Sequence, residues 1–387
     1  MRALREVSRF VLPLTLLLAL CAAGSAEIVA GEADSGNADA SQPRVHEMLY
    51  AFATSRLNIS ETVRIDSHTG AFVWVSTGSV PFFANSSAVA SNGQFLYISN
   101  SFINGDANSG SQIFGYSIKP SNGKLVQLVG SPFFFFPAPI SIQGLATTPD
   151  GHFLYGADAS GRIFAFSLDN ATGVPTSVPG SPFNSGANSQ LAVDPSGKFL
   201  YASNDDSLGS VLAYTIGANG ALTPVPGSPF AIPLPSFNPT STEPYGIVDT
   251  GSFVYVTLSA TNNIAAFSVD RATGELTPVP GSPFAAGNSP AAFGLSGNFL
   301  YAVNPGDGTV SGYGIDPSGG ALTPLPGSPF GSGGETLAID STGKYLYLGT
   351  FRGIQGYNID SATGALTPGS ARLGEEGVLW LTVVQLP

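Results

Sequence analysis

Short apolar strands ending in Leu-Tyr or a close variant recur along the chain, with the tyrosine at Tyr50, Tyr97, Tyr155, Tyr201, Tyr255, Tyr301 and Tyr347. The intervals run from 46 to 58 residues, the length of one four-stranded propeller blade. Residues 190–230 show the whole unit. "QLAVD" is a strand, "PSGK" a tight turn, "FLYASN" a second strand, "VLAYTI" a third, "GANG" a turn and "ALTPVPGSPF" a fourth. The second turn returns as "DSHTG", "PSNG", "DNATG", "DRATG", "DPSGG" and "DSATG". Its Asp or Asn can bond the local backbone, and its Gly accepts positive φ. Helical 3.6-residue periodicity is nowhere sustained. The pattern predicts an all-β, seven-bladed β-propeller of four-stranded antiparallel blades over residues 45–387.

The two ends of this region complement each other. It starts at "VHEMLYAFAT", a second strand with no first strand before it, and finishes at "GVLWLTVVQLP", a first strand with no second after it. Pairing the C-terminal strand into the first blade closes the ring and ties both ends into one sheet.

The fourth strands carry an unusual load of proline. Pro224 with Pro226, Pro278 with Pro280 and Pro324 with Pro326 are each two residues apart, and Pro175 and Pro179 share that parity. Their nitrogens therefore point to one side of the strand, while Thr223 and Val225 point to the other. On an outermost strand, such prolines remove donors from the free edge alone and discourage edge-to-edge pairing. Gly-Ser then breaks the strand, and Phe183, Phe230, Phe284 and Phe330 are expected to fold back between blades.

Composition sharpens this reading at the N-terminus. Arg2, Arg5 and Arg9 precede the apolar run "FVLPLTLLLALCAAGSA", so residues 1–26 are expected to be a signal peptide and the protein to be exported, whether periplasmic, at the cell surface or secreted. Lipid attachment at Cys21 is the alternative, although Leu20 stands where a small residue would be expected. No transmembrane span is predicted. Residues 27–44 form a small, polar, aperiodic leader. Cys21 is the single cysteine, so the propeller is held by its core without disulfides. The formal net charge is −12, and loss of residues 1–26 takes it to −14. Such a surface repels nucleic acid and anionic lipid.

The sequence "LAVDPSGKFLYASN…VLAYTI…GALTPVPGSPF" resembles the lactonase-type seven-bladed propellers, the 6-phosphogluconolactonase-like and YVTN-like bacterial proteins, with repeats that are WD40-like in length. The resemblance covers about residues 45–387 and rests on the "PxGxFLY" turns and "TGxLT" strands. It implies the fold, and it implies sugar-lactone hydrolysis by His, Arg and acidic side chains around the channel mouth. Just before its inner strands this chain has Ser87, Gln143, Ser189, Gly246, Ala291 and Thr336 where enzyme relatives tend to place His. Its three histidines are His46, His68 and His152, the last two in turns on the opposite face.

In a propeller, the loops joining second to third strands share one face with the between-blade loops. By that rule the ligand-binding face holds Arg56, Asn100, Asn204, Asn262, Asn304 and Asp307, and the between-blade loops add Glu243, Glu335, Glu375 and Glu376. Opening a lactone needs a base to activate water and a cation for the oxyanion. Asp158, Asp205 and Glu335 are the candidate bases, and Arg162 and Arg352 the candidate cations. No cofactor is required. Asp106, Asp205, Asp206 and Asp307 are oxygen ligands suited to Ca²⁺ in the central channel. There is no His/Cys cluster for zinc, no phosphate-cradling "GxxxxGK" and no "GxSxG". "NIS" at 58–60, "NSS" at 85–87 and "NAT" at 170–172 match glycosylation acceptors.

The second blade departs from its siblings. Its fourth strand, "KLVQLVGSPFFFFPAP" at 124–139, lacks the paired prolines and runs into Phe133, Phe134, Phe135 and Phe136. These four are candidates for a partner contact. Two function classes follow. The sparse His and Arg set and the proline-protected rim favour a monomeric binding or interaction module for a protein or carbohydrate-like ligand. The family resemblance carries the alternative, a lactone hydrolase.

Overall fold

The computed structural model describes residues 47–53, 59–66, 69–79, 84–90, 93–100, 112–133, 141–186, 190–205, 208–234, 241–331, 333–373 and 378–385. Residues Val45–Pro387 form one compact unit, and the expected signal peptide, leader and Cys21 lie outside the described residues. Among the described residues there is no helix. The strands form seven antiparallel sheets, each with four strands on its main path. The chain is a β-propeller with antiparallel four-stranded blades.

In the fourth sheet the order is Leu191–Val193, Phe199–Asn204, Ser210–Ile216 and Leu222–Pro224, from inner to outer strand. The first sheet alone breaks sequence order. Its inner strand is the C-terminal Val378–Gln385, which pairs with Glu47–Ala53 from Glu47↔Gln385 to Ala53↔Val378. The expected closure is therefore made by hydrogen bonds. Successive inner strands touch one another around the ring, and Val378–Gln385 also touches Ala84–Val89 of the second sheet.

The recurring tyrosines hold neighbouring sheets together. Tyr97, Tyr155, Tyr201, Tyr255, Tyr301 and Tyr347 are fully buried. Each donates its hydroxyl to a glycine carbonyl in the next sheet's second turn: Gly173, Gly220, Gly274, Gly320, Gly364 and Gly70 respectively. Burying a tyrosine stabilises by about 2 kcal/mol, and the bonded hydroxyl removes the penalty its polar end would otherwise carry. The glycine is demanded twice over. Gly274 has φ +80, and a Cβ there would lie 2.5 Å from the Phe199 ring.

The outer strands answer the proline question. Pro224 opposes Tyr214, the inward-facing Val225 donates to the Ala213 carbonyl, and Pro224 and Pro226 are exposed. The serine of "GSPF" then replaces the missing strand, because the Ser228 Oγ accepts the Ala213 N–H at 3.0 Å. Ser131, Ser181, Ser282 and Ser328 do the same for Gly115, Ala165, Ala266 and Gly312. Each of these serines precedes a cis proline. Phe230 resumes pairing with Val211 and packs into a cluster shared by the fourth and fifth sheets. In the second sheet Gln127 and Val129 occupy the proline positions, and Val129 is 89% exposed.

Candidate active site

The inner strands carry a feature that periodicity does not reveal. Pairing skips one residue between Ala84 and Ser86, between Ile142 and Gly144, and between Gly334 and Thr336. It slips by one residue between Pro244 and Ile247, and again where Val378 and Trp380 oppose Ala53 and Phe52. Five inner strands thus carry a one-residue β-bulge at the same end. A bulge pushes its extra residue out of the ladder and re-aims the side chain.

The extra residue is Gln143 in the third sheet, Tyr245 in the fifth and Glu335 in the seventh. Each is solvent-accessible while both of its neighbours are buried, so each bulged side chain is turned to solvent at the same end of its inner strand. Local sequence makes room for this. Gly246 follows Tyr245, and a Cβ there would lie 1.9 Å from the Ala291 carbonyl oxygen, just before the next inner strand, Phe293–Ser296. Gly334 precedes Glu335 and packs against Leu348 and Val303.

Tyr245 is held on three sides. Ser203, on the fourth sheet's second strand, donates its hydroxyl to the Tyr245 carbonyl at 2.6 Å. Thr257, fully buried behind Tyr245, accepts the Gly246 N–H at 2.8 Å and donates to the Ala291 carbonyl at 3.0 Å. The same Ser203 hydroxyl accepts the Gln190 N–H at 3.1 Å, and the nearby Gln190 side chain opposes the rise in the Tyr245 pKa. Gln190 in turn donates to the Gln143 carbonyl at 2.8 Å, and Gln143 donates to Ser141 at 2.7 Å. One hydrogen-bonded wall therefore spans three consecutive sheets. Tyr245 sits deep among neighbouring atoms, which raises its pKa, yet it keeps 36% of its surface in solvent. Glu335 is half-buried and makes no hydrogen bond or ion pair among the described residues. Burial raises its carboxyl above the ordinary glutamate value.

The polar residues singled out on the outer loops serve the architecture. Asp158 is fully buried. Its Oδ1 accepts the N–H groups of Ser160 and Arg162 at 2.9 and 2.8 Å, and its Oδ2 takes the Arg162 guanidinium at 2.6–2.8 Å. Both oxygens of this candidate base are therefore engaged by its own loop and by Arg162. Arg162 is committed to the same pair and also lies over Phe164, 5.4 Å from the ring centroid. Asn204 and Asn304 occupy the corresponding register position and bond Ser210, and Thr309 with Ser311, across their own loops. Asn262 accepts the Ser289 N–H at 2.9 Å. Asp307 accepts the Asn288 and Thr309 N–H groups, which hold its carboxyl below the usual carboxylate range against a desolvation that would raise it. Glu243 accepts from Ser259.

Arg352 and Asp205 are exposed in their loops. Asn100 ends its strand opposite Ala84. Arg56, Asp106, Asp206, Glu375, Glu376, His46, His68 and Phe134–Phe136 lie outside the described residues. Phe133 is the second sheet's counterpart of Phe230. It pairs with Ile113 and is buried at 8% exposure, so this ring is closed to a partner. Among the described residues no group of three or more His, Cys, Asp or Glu side chains can hold a metal ion. No helix among them is long and apolar enough to cross a membrane.

The opposite face has a cavity of about 410 Å³ between the third and fourth sheets, lined by Asp150, His152, Phe153, Leu168 and Ile216 among others. Asp150 accepts from the His152 ring at 2.9 Å. The cavity opens where the turn Gly217–Gly220 is one residue shorter than Asp169–Gly173 and lacks its aspartate.

No family model matches the chain, and a search of curated proteins gives no match either. Solved structures match over nearly its whole length. A candidate 6-phosphogluconolactonase from Bacteroides uniformis superposes with a TM-score of 0.72 at 20% identity, covering 88% of this chain and 99% of the other. The periplasmic gluconolactonase of Pseudomonas aeruginosa gives 0.72 at 16% identity, covering 89% and 99%. A candidate 6-phosphogluconolactonase from Bacteroides fragilis gives 0.70 at 20%, covering 89% and 100%. The class is thereby defined as a β-propeller like those of the lactonases. At these identities the likeness establishes the architecture.

Proposed function

We propose that the chain opens a sugar lactone at the mouth of its central channel. The observation that carries this reading is Glu335, a half-buried carboxylate displaced by a bulge at the end of its inner strand, with no partner among the described residues and its pKa raised by burial. A carboxylate so placed can take a proton from water as the water oxygen attacks the lactone carbonyl. Collapse of the tetrahedral intermediate breaks the ring C–O bond, and the proton returns to the departing alkoxide, giving a hydroxy acid. Arg352 is the cation proposed for the developing oxyanion. It stands two residues beyond Thr350, which pairs with Gly334 at the head of the Glu335 strand. The lactonase names of the structural neighbours support the same reading.

A panel of sugar lactones with purified protein tests it. Turnover that falls at least tenfold in Arg352→Ala and far less in Arg162→Ala is expected, because Arg162 is already paired with Asp158. Ligand binding without turnover is the second reading, favoured by that same commitment of Arg162. It predicts saturable lactone binding with no hydrolysis above the spontaneous rate. Export and a periplasmic, cell-surface or secreted location remain part of the proposal, supported by the N-terminal pattern of residues 1–26.

A further inference from the structure

We infer that Gln143, Gln190 and Tyr245 form a wall that reads the hydroxyl groups of the substrate and sets specificity for a polyhydroxylated, unphosphorylated lactone. This rests on the lactonase reading of the same channel mouth. The wall is a continuous chain from Ser141 through Gln143, Gln190 and Ser203 to the Tyr245 backbone, built from three consecutive sheets. The Tyr245 hydroxyl oxygen has lone pairs to offer a ligand. The Gln143 side-chain nitrogen donates to Ser141, which orients its carbonyl oxygen as a further acceptor. Acceptors of this kind recognise O–H donors. The exposed part of the Tyr245 ring adds a flat apolar surface for the C–H face of a sugar.

Charge points the same way. Glu335 occupies the matching bulge at the same end of the seventh sheet's inner strand, on a chain of net charge −12. A phosphate dianion beside this wall would meet acceptors and a like charge, whereas a neutral polyol meets partners. The wall is also rigid. The Tyr245 backbone is fixed by Ser203 from the preceding sheet, and Gly246 by Thr257 from its own. Such support keeps the hydroxyl in place before the substrate arrives. Gln190 acts through Tyr245 and is a positioning residue.

The test compares two lactones in wild type and Tyr245→Phe, which keeps the ring and deletes the hydroxyl. The probes are glucono-1,5-lactone and δ-valerolactone, which lacks the ring hydroxyls. Wild type is expected to favour gluconolactone in kcat/KM. Tyr245→Phe should raise KM for gluconolactone about tenfold with kcat nearly unchanged and leave δ-valerolactone unaffected, so the preference shrinks about tenfold. Gln190→Leu should reproduce part of that loss. Equal losses on both lactones would mean Tyr245 is merely structural and would overturn the inference while leaving the lactonase reading intact. Calorimetric titration with gluconate and with 5-hydroxypentanoate gives the same comparison without turnover. Wild type that neither hydrolyses gluconolactone nor binds gluconate would overturn both.

Discussion

Two rows of polar residues ring the same end of this propeller, and they do different work. The outer row lies at the ends of the second strands and in the loops after them: Asp158, Asn204, Asn262, Asn304 and Asp307. Its side chains bond the backbone and hydroxyls of their own or the adjoining loops. The inner row is made of bulged residues on the first strands, among them Gln143, Tyr245 and Glu335. Their side chains are turned to solvent, and Glu335 has no partner among the described residues. An Asp or Asn in a tight loop first satisfies the loop's own N–H groups. Of the residues squeezed from a ladder, Gln143 bonds Ser141 locally, whereas Glu335 keeps its carboxylate unbonded among the described residues.

Substitutions in the two rows should separate activity from stability. The largest effect expected is on chemistry: Glu335→Gln should lower kcat/KM for a sugar lactone at least 100-fold while leaving thermal unfolding nearly unchanged. In wild type the acid limb of the pH–rate profile should lie above 4.5, because burial raises the Glu335 pKa from that value and only the carboxylate form can accept a proton. Asp158→Ala reverses the pattern. It strands Arg162 and two loop N–H groups, so denaturant titration should show a loss of about 3 kcal/mol with unchanged kcat in the folded fraction.

A buried carboxylate on the opposite face sets a third, intermediate expectation. Burial raises Asp249 from 3.8 to about 6, Gly251 and Arg271 oppose the shift, nearby Asp194 adds to it, and one of its oxygens has no partner. The folded state therefore holds this proton more tightly than the unfolded chain. Stability from this group is complete below pH 3.8 and is lost as pH rises through about 6. Asp249→Asn should raise stability at pH 7 by up to about 3 kcal/mol and flatten that part of the pH profile. The smallest effect belongs to the outer edge. Ser228→Ala leaves the Ala213 N–H without its acceptor and should cost about 1 kcal/mol.

Most of the architecture was legible because it repeats. The tyrosine spacing gave the blade unit, proline parity gave the edge, and the unmatched end strands gave the closure. The tyrosine-to-glycine bond was half visible, since "LY" and "TG" both recur but their pairing across sheets is a matter of three-dimensional register. The bulges were not legible, because an extra residue shows only as a phase shift in a two-residue alternation, and these short inner strands, buried on both faces, carry little alternation to shift. A local signal does exist: a large residue followed by a small one, as in Gln143-Gly144, Tyr245-Gly246 and Glu335-Thr336. The loop carboxylates show why residue type alone does not mark a site. Asp158 and Asp307 have the composition of a site and the bonding of a turn.

The most direct test of this account is the rate of glucono-1,5-lactone opening by the purified protein, corrected for spontaneous hydrolysis, in wild type and in Glu335→Gln. The account predicts saturable turnover in wild type that is lost at least 100-fold in Glu335→Gln with the fold retained. Equal rates in the two proteins would contradict it.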